Sequence, residues 1–274
     1  MMKTSLTGVI AASRDLSVIS NNLANAKTAG FKRSIAQFAE VRSTSEGARS
    51  GVEAGSGALT LDIRRNNTQG GFTNTESALD VAISGSGYLV FGEANGVPGE
   101  MDMTYSRAGK LTLNKDGAIV DSAGNPLLGF PVLTGNMIGG QPAPINLSAA
   151  AGGKPGNIQT VSIDGKGVIN ITLANGRSVQ GGAIALATFR NVDGLKNVTG
   201  AKLKATDTSG QAELVPAGRN GMGDIRQGTL EDANVDITSE LMSMVKAQQA
   251  YNGNARALQT NSEMIRSAVD TLVR

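Results

Sequence analysis

Residues 241–272 read LMSMVKAQQAYNGNARALQTNSEMIRSAVDTL, and their periodicity decides the fold. Leu241, Met244, Gln248, Tyr251, Ala255, Leu258, Ser262, Ile265, Val269 and Leu272 follow one another at alternating steps of three and four. A repeat of 3.5 residues places them on one stripe of a long α-helix, with Gln248 and Ser262 as polar interruptions that either set register, are simply tolerated, or face a partner subunit. Asp236 stands at the expected N-cap, and Glu240 falls in the first turn, where the helix dipole favours a carboxylate. At ~1.5 Å per residue such a helix is about 50 Å long. Each fully buried Leu, Ile or Val is worth ~1.5–3 kcal/mol, so the stripe calls for a partner.

The other comparable stripe lies at the opposite end of the chain. Leu6, Val9, Ala12, Leu16, Ile19, Leu23 and Ala26 occupy one face of a helix over residues 4–26. The two ends are therefore expected to pair as a coiled coil. Between them the pattern changes. Residues 43–58, STSEGARSGVEAGSGA, read as a glycine-rich linker. From about 59 to 230, short runs such as LDVAIS, GYLVF and KLTLNKDGAIVDSAGNPLLGF alternate with turn residues. Asp116-Gly117 and Asn175-Gly176 are hairpin turns in this reading. The expected fold class is α+β. Residues 1–35 and 237–274 form the paired helices, 36–133 and 183–236 a β-rich body, and 134–182 a small outer excursion.

Composition removes several function classes. The chain has 274 residues, 36 of them Gly, and no Cys, His or Trp. Disulfides, thiolate chemistry, histidine triads and histidine-zinc sites are thus ruled out. No catalytic residue, metal or cofactor is expected. Asp62, Asp80, Asp116 and Asp121 could supply a carboxylate pair for glycoside hydrolysis, but six Phe and three Tyr offer few sugar platforms. Ser84-Gly85-Ser86-Gly87 lacks the spacing of a phosphate loop and reads as a β-turn. The net charge of +2 comes from scattered residues, so no nucleic-acid partner is expected. No apolar run reaches a membrane span, and no membrane insertion is expected. Ser13, Arg14 and Asp15 interrupt the N-terminal apolar stretch, which argues against a cleaved secretory signal.

Residues 21–34, NNLANAKTAGFKRS, close the first helix with Asn21, Asn22 and Asn25, followed by Thr28, Gly30, Phe31 and Lys32. Residues 228–260, GTLEDANVDITSELMSMVKAQQAYNGNARALQT, carry Leu230, Glu231, Asn234, Val235 and Asp236, then Gln248, Tyr251 and Asn254. Both stretches, in this order, resemble the terminal motifs of the bacterial flagellar axial proteins, the rod and hook family. ALDVAISGSGYLVF and YSRAGKLTLNKDGAIVDSAGNPLLGFP resemble the family's body segments. The resemblance covers residues 3–133 and about 183–274. GNPLLGFP is similar to a hook-protein motif, with Phe130 in place of the usual Tyr. The chain is nonetheless short for a hook protein.

What the resemblance implies is a structural subunit polymerising with copies of itself into a hollow helical tube. Hook is the preferred subtype, a flexible joint passing torque from motor to filament. The distal rod, a stiff drive shaft, is the alternative. Implied partners are flagellar rod, hook-cap and hook-filament junction proteins and the type III export apparatus. The implied location is the flagellum, extracellular for a hook and periplasmic for a rod. Residues 21–34 would be the junction between helical core and β body. Gly30 would end the helix in a left-handed conformation, the asparagines would bond neighbouring chains or the C-terminal helix, and Phe31 would staple the outgoing chain. A secreted β-rich adhesin or carbohydrate-binding protein, with dispensable terminal helices, fits the bare pattern as a different class.

Overall fold

The computed structural model describes residues 2–42, 55–92, 103–133, 137–138, 140–150, 158–198, 200–219 and 221–272. Among these the α-helices are α1 (Met2–Ala24), the single-turn α2 (Leu147–Ala150) and α3 (Ile237–Leu272). Strands fill the span between the long helices, so the fold is α+β. The chain forms two compact units. One comprises Met1–Ala26, Lys32–Asn67 and Val235–Arg274, the other Lys27–Phe31 and Thr68–Asn234.

In the first unit α1 packs against α3 and against a hairpin of β1 (Ser34–Arg42) and β2 (Gly55–Arg65). The hairpin is antiparallel, with Ala36 opposite Ile63 and Phe38 opposite Thr60. The register shifts between Gln37 and Phe38, so Leu61 is the extra residue of a β-bulge. The expected boundaries differ here. Residues 36–67 group with the helices rather than with the β body. The expected linker lies outside the described residues over 43–54, and its last residues open β2.

The second unit is built around a large sheet. Its strands begin with β3 (Phe72–Asn74), β4 (Val81–Ser84), β5 (Tyr88–Phe91), β6 (Thr104–Ser106), β7 (Leu111–Leu113), β8 (Ile119–Asp121) and β9 (Leu128–Phe130). They continue through β10 (Val132–Leu133), β11 (Met137–Ile138), β12 (Ala143–Pro144), β13 (Ile158–Ile163), β14 (Val168–Leu173) and β15 (Ser178–Thr188). The last are β16 (Lys196–Val198), β17 (Lys202–Lys204), β18 (Glu213–Pro216), β19 (Asp224–Gln227) and β20 (Thr229–Glu231). The long β15 organises the sheet, pairing in succession with β14, β9, β5 and β18.

Period-two alternation gives this sheet two buried faces. Leu89 and Phe91 of β5 join Ile184 and Leu186 of β15 in one core. Tyr88 and Val90 join Ala185 and Ala187 in the other. In that second core Phe189 meets Tyr105 edge to face at 4.7 Å. Such a strand reads as a continuous apolar run, which is how YLVF appears in the sequence. Asn175-Gly176 turns β14 into β15, with Gly176 at φ 78° and its N–H on the Leu173 carbonyl. Asp116-Gly117 makes the turn from β7 to β8, with Gly117 at φ 77°.

The outer excursion expected at 134–182 is not set apart over residues 158–182. Strands β13 and β14 extend the sheet from β15, and Ile163, Ile169 and Ile171 belong to the same core as Val81, Phe91 and Ile225. Gly and Pro in the flanks hide this, since the apolar β14 is short and sits between turn residues.

Candidate assembly site

The helical unit carries most of the residues singled out by sequence. The helices α1 and α3 run antiparallel. Asn22 of α1 meets Glu240 of α3, and Gly8 faces Asn254, each step back along α1 matching a step forward along α3. A Cβ on Gly8 would lie 2.7 Å from the Asn254 side chain, so the glycine permits this approach.

The packed face of α3 runs through Glu240, Met244, Ala247, Asn254, Ala255, Leu258, Asn261 and Ser262, with Glu240 and Ala247 fully buried. On α1, Ala12, Val18, Ile19 and Asn22 are buried, and Val9, Leu16 and Leu23 are half-buried. The expected stripe is therefore only partly in the contact. Met244 and Leu258 lie on it, whereas Leu241, Gln248, Tyr251 and Ile265 are exposed, as is Leu6 on α1. The side chain of Leu272 lies outside the described residues. The physical reason is a second heptad running beside the apolar one. Glu240, Ala247, Asn254 and Asn261 recur every seven residues, and these small or polar side chains let the helices approach closely. That repeat was legible in the sequence but carries no hydrophobic signal.

Residues 21–34 divide between the units. The helix α1 ends at Ala24, where the Asn21 carbonyl accepts both the Asn25 N–H at 3.2 Å and its Nδ2 at 2.9 Å. Asn25 thus satisfies one of the carbonyls a helix end leaves open. Asn21 itself is exposed. Asn22 is fully buried: its Nδ2 donates to the Ser34 carbonyl at 2.8 Å and its Oδ1 accepts the Ser34 N–H at 2.9 Å. The same Nδ2 lies 3.4 Å from Glu240 Oε2. Arg33 forms an ion pair with Glu240, whose side chain is 1% exposed. Burial, and then the Glu240 charge, push the Asp15 carboxyl above the ordinary aspartate value. Two carboxylates, one guanidinium and one amide thus meet between the helices and the start of β1. Sequence reasoning placed Glu240 in the first turn of the helix and gave Asp15, Arg33 and Ser34 no part in a site. Lys32 is buried in the same unit.

Gly30 adopts φ 70°, but it does not end the helix as expected. Its place is in the second unit, where its N–H donates to the Glu231 carbonyl at 2.7 Å. A Cβ there would run into the Arg107–Ala108 peptide. Phe31 belongs to the same unit, its N–H on the Thr28 carbonyl and its carbonyl accepting the Asn234 N–H. Glu231 is fully buried. Its carboxylate accepts Arg107 Nη1 at 3.2 Å and the Gly70 N–H at 3.1 Å. Leu230 pairs with Thr73 across β20 and β3, and Asn234 Nδ2 donates to the Thr68 carbonyl at 2.9 Å. Val235 is half-buried, and Asp236 Oδ1 caps α3 through the Thr238 N–H at 3.0 Å.

Among the described residues no three acidic side chains gather as a metal-binding group, and no helix is long and apolar enough to cross a membrane. The site instead offers exposed apolar surface beside buried polar clasps. Leu241, Met242, Val245, Met264, Ile265 and Val269 stand in solvent on α3, Met2, Leu6 and Ile10 on α1, and Ile35, Phe38, Leu59, Leu61 and Ile63 on the hairpin. Apolar exposure on this scale marks an interaction surface.

Comparison with known proteins matches this arrangement from end to end. Residues 2–32 match the family model "Flagella basal body rod protein", 82–171 the "Flagellar hook protein FlgE/F/G D1 domain", and 226–271 the "Flagellar basal body rod FlgEFG protein C-terminal". The chain is 31% identical over 279 residues to the flagellar basal-body rod protein FlgG of Caulobacter vibrioides, covering 97% of each. It is 30% identical over 273 residues to the FlgG of Buchnera aphidicola, covering 95% of each. The flagellar hook protein FlgE of Brucella suis aligns at 24% identity over 393 positions, with 97% of each chain covered. With nearly its full length aligned to such relatives, the chain belongs to the flagellar rod and hook protein family, whose members are structural components of the bacterial flagellum.

Proposed function

We propose that the protein is a subunit of the distal rod, polymerising through its helical unit into a stiff hollow shaft. The observation that carries this reading is length. Relatives named as basal-body rod proteins align with this 274-residue chain over 268–279 positions. The hook relative needs 393 positions, so a large share of that alignment has no residue of this chain. That reverses the preference for hook drawn from the resemblance of GNPLLGFP and GTLEDANVD to hook sequences. The packing of the body is consistent with a shaft: both sheet faces are buried, and β13 and β14 are tied into its core rather than hung from it.

In this reading the partners are further copies of the chain, rod proteins at the ends of its segment, and the type III apparatus that exports it. Its segment lies in the periplasm. Asn22, Arg33, Ser34 and Glu240 hold the two long helices and the hairpin as one block, and the exposed apolar side chains of that block meet neighbouring subunits. Electron microscopy of the concentrated full chain tests this. Straight, stiff, hollow tubes are expected. Tubes that curve smoothly would return the reading to hook, and a stable monomer that never polymerises would favour the adhesin class.

A further inference from the structure

Among the described residues, five pairs place Asp or Asn directly before Gly: Asp116-Gly117, Asp164-Gly165, Asn175-Gly176, Asp193-Gly194 and Asn252-Gly253. In such a pair the glycine nitrogen, with no side chain beside it, can attack the carbonyl carbon of the preceding side chain and close a five-membered succinimide ring. Three of these nitrogens are engaged elsewhere in their turns. The Gly117 N–H donates to the Asn114 carbonyl at 3.0 Å, Gly176 to Leu173 at 2.9 Å and Gly194 to Asn191 at 3.3 Å. Asn175 also aims its Oδ1 past its glycine, where it accepts the Arg177 N–H at 3.1 Å. Gly253 lies inside α3, where the helical ladder takes its N–H.

Asp164-Gly165, in the turn between β13 and β14, is built differently. The Gly165 N–H donates to Asp164 Oδ1 itself, at 2.6 Å. Nitrogen and carboxyl carbon are thereby held close to the ~3–3.5 Å of a near-attack arrangement. Asp164 is exposed, so water reaches the ring once it has formed. The surrounding turn keeps the pair in place. The Asp164 N–H donates to the Val168 carbonyl at 2.9 Å, the Gly167 N–H to the Asp164 carbonyl at 2.8 Å, and the Gly165 carbonyl accepts the Ile225 N–H of β19 at 2.8 Å. Asp62 reaches the Ile63 N–H in the same way, at 2.7 Å, but the branched Ile63 side chain crowds that nitrogen.

We infer that Asp164 is a site of spontaneous isomerisation to isoaspartate in the folded chain, outpacing the other four pairs. The Gly165 nitrogen bonds to Asp164 Cγ, and one carboxyl oxygen leaves as water with the amide proton and the carboxyl proton. Water then opens the ring. Breaking the Cγ–N bond restores aspartate, whereas breaking the bond from the main-chain carbonyl carbon to nitrogen leaves the chain running through Cγ. One water departs and one returns, so nothing is oxidised or reduced and no co-reactant is needed. The product carries an extra methylene in its main chain, and the carbonyl that accepted the Gly167 N–H becomes a free carboxylate. The change falls where the β13–β14 turn meets β19, within the β-rich unit. It goes beyond the axial reading and does not depend on it.

The test is to hold the folded full-length chain warm at near-neutral pH for several weeks. Isoaspartate is located by methyl transfer from S-adenosylmethionine with an isoaspartyl methyltransferase, and by peptide fragmentation that breaks N–Cα bonds. Isoaspartate at Asp164 should accumulate about tenfold faster than at Asp116, and ahead of any deamidation at Asn175. In the chain unfolded by denaturant that order should invert, with Asn175 leading, because an amide loses ammonia more readily than an acid loses water. Gly165→Ala should keep the fold: its Cβ would stand 4.0 Å from the nearest non-neighbouring atom, the Ile225 carbonyl oxygen, and the backbone there is not left-handed. By crowding the nitrogen it should slow the change at Asp164 about tenfold. Equal rates at Asp164 and Asp116 in the folded chain overturn the inference. So does a lead by Asn175 there, or an Asp164 rate that Gly165→Ala leaves unchanged.

Discussion

The side chain of Asn22 and the backbone of Ser34 exchange two hydrogen bonds, donor to carbonyl at 2.8 Å and carbonyl to N–H at 2.9 Å, across twelve residues of chain. An amide is neutral and carries its donor and its acceptor on two separate atoms, so it can satisfy both backbone groups of a single residue at once. Both partners are buried, so neither can fall back on water. Asn22 thereby fastens the last turn of α1 to the first residue of β1, and its contact with Glu240 brings α3 into the same knot.

Asn22→Ala should therefore do more than remove a surface amide. It strands the Ser34 N–H and carbonyl in a dry site, at a cost of about 1–3 kcal/mol. The expected result is a lower thermal midpoint for the helical unit, read by far-UV circular dichroism. Asn21→Ala, at an exposed position, should leave the midpoint within about 0.5 kcal/mol of the original. Equal effects from the two substitutions would sink the clasp.

Asp15 gives the same unit a pH dependence whose sign is fixed. Burial and the neighbouring Glu240 raise its folded value above the ordinary aspartate value. The folded state then favours the protonated acid. Its contribution to stability is complete below the unfolded value and is lost as pH rises through the folded one. Arg33 pairs with Glu240 rather than with Asp15, so the repulsion between the two acids is only partly offset. Asp15→Asn should raise the thermal midpoint near neutral pH and flatten its decline between mildly acidic and neutral solution. A midpoint that falls at neutral pH would show that the aspartate is held by a favourable contact instead.

At Gly30 the backbone stands at φ 70°, where an L-residue is strained, and the Arg107–Ala108 peptide occupies the space a Cβ would take. Gly30→Ala should cost the β-rich unit more than about 1 kcal/mol, seen as a lower denaturant midpoint with unchanged slope. Gly124 also has positive φ, at 85°, but nothing lies within 4 Å of the position its Cβ would take. Alanine there pays backbone strain alone and should cost less. Reversed ordering would remove the steric argument.

The sequence made some of this architecture readable and concealed the rest for identifiable reasons. Two helical stripes at the chain ends are long-range periodic signals, and they led directly to the pairing of α1 with α3. YLVF in β5 and the glycine turns at 117 and 176 are local signals and lie where the strand pattern put them. The hairpin was harder, because Ile35, Phe38, Leu59, Leu61 and Ile63 appear on both of its faces and a bulge shifts its register, so no clean alternation survives. The knot around Glu240 could not be read from periodicity at all. It depends on Asp15, Asn22, Arg33 and Ser34 arriving from separate elements, and burial inverts what a glutamate in a first helical turn ordinarily means. The division of residues 21–34 was concealed for a related reason: one unbroken motif serves two units, with Asn22 fastening the first and Gly30 fitting the second.

Glu231 sits inside the C-terminal motif, where it could serve either the fold or contacts between subunits. Its surroundings argue for the fold. The carboxylate is fully buried, with Arg107 at 3.2 Å and the Gly70 N–H at 3.1 Å, and Arg107 in turn donates to the Gly85 carbonyl at 2.7 Å and lies 5.4 Å over the Tyr88 ring. Removing one partner of such a pair leaves the other charge dry and unpaired, at about 3–5 kcal/mol. Glu231→Ala should then destabilise the β-rich unit by that amount in denaturant unfolding. Arg107→Met combined with Glu231→Leu should recover a large part of the loss, because apolar side chains of similar size replace both charges. If Glu231→Ala left the unfolding free energy unchanged and abolished polymerisation alone, the glutamate would be an assembly contact, and the burial seen here would have to be reassigned to the polymer.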